Sequence, residues 1–236
     1  MDIISLEAFV LRRIRYGESS LIVSLFSDER GKLSVIAKGA RSNKSKSGMA
    51  SVLEPLNMIE AEVYIKPSRE VQIIGKADII ADFSGIKSNL DRMETAAKIL
   101  RTLDSLTHTD EPNYALWKAF ENTLRQLDSS PSENLPSISL AFKARILSAL
   151  GYEPILEICS RCDCEISGKA FFDAESGGII CEKCGPRGIM LTPADIETLR
   201  SLFYGDNTAV PHEISGKMEK IIDRHCEFHT DTKIVR

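Results

Sequence analysis

The apolar residues of this chain repeat with one period as far as about Asp82 and with another beyond it. That change constrains the fold more than any other feature. A two-residue repeat lays one face of a sheet on a core, whereas a repeat of three and four does the same for a helix. Before the change, runs rich in Val, Ile, Leu and Phe fall at 5–11, 20–26, 31–37, 53–65 and 71–80. Turn-forming pieces such as Tyr16-Gly17-Glu18 and Asp28-Glu29-Arg30-Gly31 separate them. The alternation is cleanest where Ile59, Ala61, Val63 and Ile65 interleave with Met58, Glu60, Glu62 and Tyr64. That pattern predicts a strand with one buried and one wet face.

After the change, Leu90, Met93, Ala97, Leu100 and Leu103 fall at helical spacing, as do Trp117, Phe120, Leu124 and Leu127, and then Leu140, Ala144, Leu147 and Leu150 before Gly151. The links at 109–112 and 129–136 carry Pro, Ser and Asp and read as helix breaks. The stripes, Trp117 included, are assigned to core packing, and Lys118, Arg125, Lys143 and Arg145 to solvated positions. Thr192-Pro193-Ala194-Asp195 supplies a capping hydroxyl, a proline at the first helical position and an acid in the first turn, ahead of Ile196, Leu199, Leu202 and Phe203. A last helix over 212–229 is expected to bury Ile214, Met218, Ile221 and Phe228. Five strands in the first eighty or so residues, with the longest connection between the third and the fourth, suit a small closed barrel of the oligonucleotide-binding type. The fold class predicted is therefore α+β: a five-stranded barrel over 1–81, then a helical domain over 82–236 with a cysteine-bearing insertion at 157–189.

The insertion holds the most specific local chemistry. Cys159-Ser160-Arg161-Cys162 is followed by eighteen residues and then Cys181-Glu182-Lys183-Cys184. Two residues between cysteines let one tight turn aim both thiolates at a single ion, and two such turns complete a tetrahedron. Ala170-Phe171-Phe172-Asp173 and Gly178-Ile179-Ile180 flank Glu175-Ser176-Gly177 as a hairpin joining the two knuckles. Four thiolates leave no open position for water, so one structural Zn2+ is expected, contributing on the order of 10 kcal/mol of metal-linked folding free energy. Cys164 offers a competing thiol and is expected to stay free, because the Cys159 to Cys162 gap repeats that of the second knuckle. His225 and His229, four apart beside Cys226, read as a surface pair rather than a second metal site.

The other notable stretch is 31–55, GKLSVIAKGARSNKSKSGMASVLEP. From 30 to 46 there are six basic residues and no acidic one, in a chain whose formal charge is -4. The small polar residues keep the stretch solvated, and its Lys32, Lys38, Arg41, Lys44 and Lys46 suit an extended phosphate backbone, whose counterions they release on contact. On charge alone a solubilising loop fits equally well. The overall acidity excludes a protein that coats nucleic acid with its whole surface, so any such binding is regional. Residues 1–85 hold 12 Lys and Arg against 11 Asp and Glu, and residues 86–236 hold 18 against 23.

The start Met1-Asp2-Ile3-Ile4 lacks a basic signal-peptide region, and no run approaches the 18 or so apolar residues of a membrane span. A cytoplasmic setting is expected, and there six cysteines favour metal over disulfides. No nucleophile elbow, phosphate-binding glycine loop or His-Glu-x-x-His run occurs, so an enzyme is not expected.

Arg12-Arg13 with Tyr16-Gly17-Glu18, then Gly31-Lys32-Leu33, Ala37-Lys38-Gly39-Ala40-Arg41 and Leu53-Glu54-Pro55, then helices and a four-cysteine site, together resemble the bacterial RecO family along essentially the whole chain. The resemblance implies an N-terminal oligonucleotide-binding barrel, a helical domain with a zinc-binding insertion, and a place at the bacterial nucleoid. It implies binding of single- and double-stranded DNA, annealing of complementary strands and, with the partner RecR, loading of RecA onto DNA covered by single-stranded-DNA-binding protein. Carried onto this sequence, the basic surface corresponds to Lys32, Lys38 and Arg41, continued by Lys44 and Lys46, and the metal ligands to Cys159, Cys162, Cys181 and Cys184. One departure is that Ser42-Asn43 intervene where the family often continues with basic residues. Other readings of the same residues are a zinc-ribbon scaffold that binds only proteins, a zinc hydrolase with one thiolate replaced by water, and a thiol-redox protein using Cys159 and Cys162.

Overall fold

The computed structural model describes residues 2–42, 48–205 and 210–230. The chain divides into two compact units, 1–129 and 130–236.

The first unit is built on five strands, β1 (Asp2–Tyr16), β2 (Ser20–Ser27), β3 (Gly31–Ala37), β4 (Met58–Ile65) and β5 (Val71–Ala81). The pairings run β1-β2-β3-β5-β4, and β1 also pairs with β4 from Asp2↔Ile65 to Phe9↔Met58, so the sheet closes on itself. All pairs are antiparallel except β3 with β5, which meet in parallel over Ser34↔Val71, Val35↔Gln72 and Ile36↔Ile73. Leu6, Ala8, Val10, Leu21, Val23, Leu25, Leu33, Val35, Ile59, Ala61 and Val63 point inward and form its core. The intervening residues form the outer face, as the alternation requires.

The first strand runs well past the expected 5–11. Its early part pairs with β4, and after a bulge between Val10 and Arg12 its later part continues along β2 as far as Tyr16↔Ser20. Residues 53–57 depart from expectation in the other direction. They follow a short helix, α1 (Met49–Val52), instead of opening a strand. Buried Asn57 donates to the Ser51 and Val52 carbonyls at 3.0 and 2.9 Å and so closes that helix, and Leu56 takes a left-handed φ of 75°. Arg13 donates to the Ala50 carbonyl and pairs with Glu54 at 3.1 Å, fastening the segment to β1.

Helices α2 (Ser84–Lys87), α3 (Leu90–Leu106) and α4 (Tyr114–Ser129) belong to this first unit. Phe9 and Phe26, opposite one another on the outer face, supply the reason. Phe9 meets Phe83, Trp117 and Phe120 with ring centroids at 6.4, 5.5 and 4.9 Å, and Phe26 meets Phe120 at 6.5 Å. Trp117 is thus core, as its stripe predicts. The link before α4 presses on the start of β3. The Asp110 amide donates to the Lys32 carbonyl at 2.9 Å, and a β-carbon on Gly31 would come within 2.1 Å of the Glu111 carbonyl oxygen.

The second unit contains α5 (Leu135–Ala149), a three-stranded sheet β6 (Ala170–Asp173), β7 (Gly178–Cys181) and β8 (Ile189–Leu191) in the order β7-β6-β8, then α6 (Pro193–Tyr204) and α7 (His212–Thr230). The predicted hairpin is β6 with β7; β8, too short to show a period, joins its other edge. The capping box at α6 is formed in both directions by Thr192 and Asp195. Two expectations fail here. Lys143 is not solvated but buried, its ammonium 2.7 Å from buried Asp223 and 3.1 Å from Glu219 on α7. Phe228 is half exposed, at 52%, because the buried stripe of α7 runs through Met218, Ile221, Ile222, His225 and Cys226.

Candidate metal centre and nucleic-acid interface

Cys159 and Cys162 sit on a loop that closes on itself. The Cys159 amide donates to the Cys164 carbonyl and the Asp163 amide to the Cys159 carbonyl, both at 2.9 Å, and Ile158 and Glu165 bridge below. Asp163 takes a left-handed φ of 55°, which turns the chain back. Cys181 ends β7, and a single 3-10 turn, Glu182–Cys184, carries the second pair. Arg161 reaches Asp173 at 2.9 Å and ties the first knuckle to the hairpin. Gly178 admits the Ile155 backbone, whose carbonyl oxygen would lie 2.2 Å from a β-carbon there.

The four sulfurs lie within 4.8 Å of one another. A tetrahedral zinc with bonds of about 2.3 Å requires sulfurs about 3.8 Å apart. Cys159 to Cys184 is 3.7 Å and Cys162 to Cys181 is 3.8 Å, so two opposite edges of the required tetrahedron already exist. Burial pushes the Cys159 thiol up, but backbone amides of Cys181, Arg161 and Cys162 outweigh it and bring it down to about 6. Cys184, donating to Cys162 and partly desolvated, is raised to about 12. Four thiols this close share protons unless a cation takes their place. The residues fit a dication, which would be held by Cys159, Cys162, Cys181 and Cys184 and would cross-link the knuckles to the hairpin. Cys164 is not remote from them: its sulfur is 3.5 Å from that of Cys162.

Of the histidine pair, His225 is buried and His229 is partly exposed. His225 is 2% exposed and its Nε2 lies 2.9 Å from the Tyr152 carbonyl, while His229 Nε2 lies 3.0 Å from that of Ala174. Their rings are 4.4 Å apart, and both serve to hold α7 against the loops around the cysteine sheet. Among the described residues, the donors grouped closely enough to share a metal are the four cysteines.

The predicted cations of the first unit do not form one cluster. Lys38 is exposed at the end of β3, on the rim of a groove of about 390 Å3 that Ala40, Met49, Gly75, Lys76 and Asp78 also line. Arg41 donates through Nη2 to the Gly17 and Glu18 carbonyls, and its amide donates to that of Ser19 at 2.8 Å, so it braces the β1–β2 turn. Lys32 lies at the other end of β3, about 20 Å away at some 3.3 Å per residue. Its ammonium sits on Asp104 of α3, 2.6 Å from the carbonyl and 3.1 Å from the carboxylate, which Arg12 also reaches at 3.2 Å. No sequence signal marks Asp104, because the pairing joins residues more than seventy positions apart. Lys44 and Lys46 lie outside the described residues.

Charge is nevertheless unevenly divided among the strands. Residues 12–16 of β1 with β2 and β3 contain Arg12, Arg13, Arg15 and Lys32 and no acidic residue; Arg12 and Lys32 lie on the outer face, whereas Arg13 and Arg15 stand opposite the inward-pointing Val23 and Leu21 at the end of the sheet. Across β1, β4 and β5, Glu7 stands opposite Glu60 and Glu60 opposite Asp78, with Lys76 paired to the neighbouring Glu62 at 3.5 Å.

Comparison with known proteins covers both units. The family model described as Recombination protein O N terminal matches residues 1–83, and that described as Recombination protein O C terminal matches residues 87–235. The protein named DNA repair protein RecO from Anaeromyxobacter sp. (strain K) is 32% identical over 203 residues, covering 86% of this chain and 78% of its own. That from Myxococcus xanthus (strain DK1622) is 30% identical over 231 residues, covering 97% and 93%. That from Desulforamulus reducens is 28% identical over 243 residues, covering 99% and 92%. With both halves matched and such relatives covered over most of their length, the chain belongs to the RecO family of DNA repair proteins.

Proposed function

We propose that this protein is a recombination mediator that binds single- and double-stranded DNA without reading sequence, anneals complementary strands, and acts with RecR to load RecA onto DNA covered by single-stranded-DNA-binding protein. The five-stranded region, residues 1–81, is the DNA-binding module and an oligonucleotide-binding barrel; its ring of pairings with a parallel β3/β5 seam supports that type. The observation that carries the reading is the uneven charge of the sheet in a net acidic chain: residues 12–16 of β1 with β2 and β3 carry four cations and no acid of their own, and the carboxylates that meet three of them, Asp104 and Glu54, come from neighbouring elements. A surface of that kind attracts phosphate and keeps the rest of the molecule away from it.

Annealing needs no covalent chemistry. It needs two strands brought together against their repulsion with bases left free, which backbone contacts accomplish. Lys38 and Arg41, with Lys44 and Lys46 continuing them, are the proposed contacts; Lys32 joins by exchanging Asp104 for a phosphate. One Zn2+ on the four cysteines is proposed to be structural, and the site of action is the cytoplasmic nucleoid. Among the described residues no helix is long and apolar enough to cross a membrane. Fluorescence-monitored annealing of complementary oligonucleotides, without nucleotide, tests the proposal. Acceleration over the protein-free rate is expected, and an unchanged rate at saturating protein would overturn it.

A further inference from the structure

We propose that Cys164 is an alternative ligand of the cysteine-bound metal, exchanging with Cys162, so that the centre has five thiols for four positions. The inference rests on the reading that these cysteines hold a metal. Three observations lead to it. The Cys164 sulfur is 3.5 Å from that of Cys162, no farther than neighbouring ligands of one ion stand from each other. Its backbone is fixed by the loop itself, through the Cys159 amide, the Ile158–Glu165 bridge and the left-handed turn at Asp163. Cys164 is therefore held beside the centre whether or not it ligates.

The third observation is the order of burial. Cys159 and Cys181 are buried, Cys184 and Cys164 are partly buried, and Cys162 is exposed. Cys164 and Ile166 pack against the small core of Cys159, Phe171, Ile180 and Cys181. The ligand most open to solvent, and so to alkylating or oxidising reagents, is the one with a substitute beside it. A tetrahedral ion accepts four thiolates, so Cys162 and Cys164 alternate rather than bind together. Loss of the exposed thiol then leaves Cys159, Cys164, Cys181 and Cys184 to keep the ion and the hairpin in place.

Zinc content of the purified full-length chain after dialysis, with the absorption spectrum of its cobalt-substituted form, tests this. The native chain, Cys162→Ser and Cys164→Ser should each retain one ion per chain with a four-thiolate spectrum. Cys162→Ser/Cys164→Ser and Cys159→Ser should lose it. A native chain without zinc would refute the metal centre itself; a native chain with zinc and an empty Cys162→Ser would refute only the exchange. Should Cys162→Ser not fold, the zinc-loaded native chain decides, after limited treatment with iodoacetamide and peptide mapping. Label divided between Cys162 and Cys164 with zinc retained supports exchange, and label confined to Cys164 overturns it.

Discussion

Acidification should destabilise the second unit through His225, and the amount follows from its surroundings. Burial pushes this imidazole down from its ordinary 6.5 to about 4, the hydrogen bond to the Tyr152 carbonyl opposes the shift, and His229 adds repulsion. Nε2 is engaged by that carbonyl, and Nδ1 is buried with no hydrogen-bond partner, so a second N–H would have nothing to donate to. The unfolded chain takes up the proton as pH falls through 6.5, whereas the folded chain resists until about 4. Stability is therefore complete above the higher value and is lost as pH falls towards the lower. Each pKa unit of difference is worth about 1.4 kcal/mol, so the total is about 3 kcal/mol over that window. Urea unfolding at a series of pH values from 7.5 to 4.5, on the native chain and on His225→Gln at matched zinc, measures it. Glutamine does not titrate, so its curve should be flatter by about 1.4 kcal/mol per pH unit. The comparison is between slopes, and proton-driven metal loss cancels between the two proteins. Equal slopes would refute the reasoning.

Single-stranded DNA affinity should fall with salt with a log-log slope near -0.7 per phosphate contact, about -3 for four cations. Replacing Lys38, Arg41, Lys44 and Lys46 by Ala should flatten it, and a fluorescence-anisotropy salt titration with an unchanged slope would remove them from the interface. Phe120→Ala should destabilise the first unit by about 3–5 kcal/mol in denaturant unfolding, because the ring is fully buried against Phe9 and Phe26. Lys143→Met should cost about 3–5 kcal/mol by removing the ammonium that faces the buried Asp223 carboxylate. Adding Asp223→Leu should restore most of it, and a double variant no better than the single would count against the pairing.

Where side chains repeat along one element, the sequence was readable. The alternation at 58–65 and the stripes of α4 and α5 are local consequences of a core beneath them, whereas on α3 only Leu100 and Leu103 of the expected stripe are buried, beside Ala96, Ile99 and Leu106, and Leu90 is exposed. The two Cys-x-x-Cys turns and the capping box of α6 are equally local, since their partners lie two or three residues away. What escaped depends on distant partners. Nothing near Lys143 foretells Asp223, and nothing near Lys32 foretells Asp104. The later part of β1 was hidden by its arginines, whose strand conformation is imposed by pairing with β2 rather than by propensity. The stretch 53–57 resembles a strand in composition, yet Asn57 turns it into the end of a helix. Spacing alone is also blind to the turn at Asp163 that brings the Cys164 sulfur within 3.5 Å of that of Cys162.

The closed sheet is a three-stranded meander, β1 to β3, clasped by the β4–β5 hairpin along two seams of unequal length. Against β1 the hairpin makes eight residue pairs, and against β3 it makes three. Each piece forms from neighbours in the chain, but both seams wait for the hairpin to arrive, which makes docking the slow event in folding this unit. Once folded, the shorter seam is the place where the ring comes undone first. Amides of residues 34–36 and 71–73 should therefore exchange hydrogen sooner than those joining β1 to β4, and the strand that ends just before Lys38 is the one able to breathe.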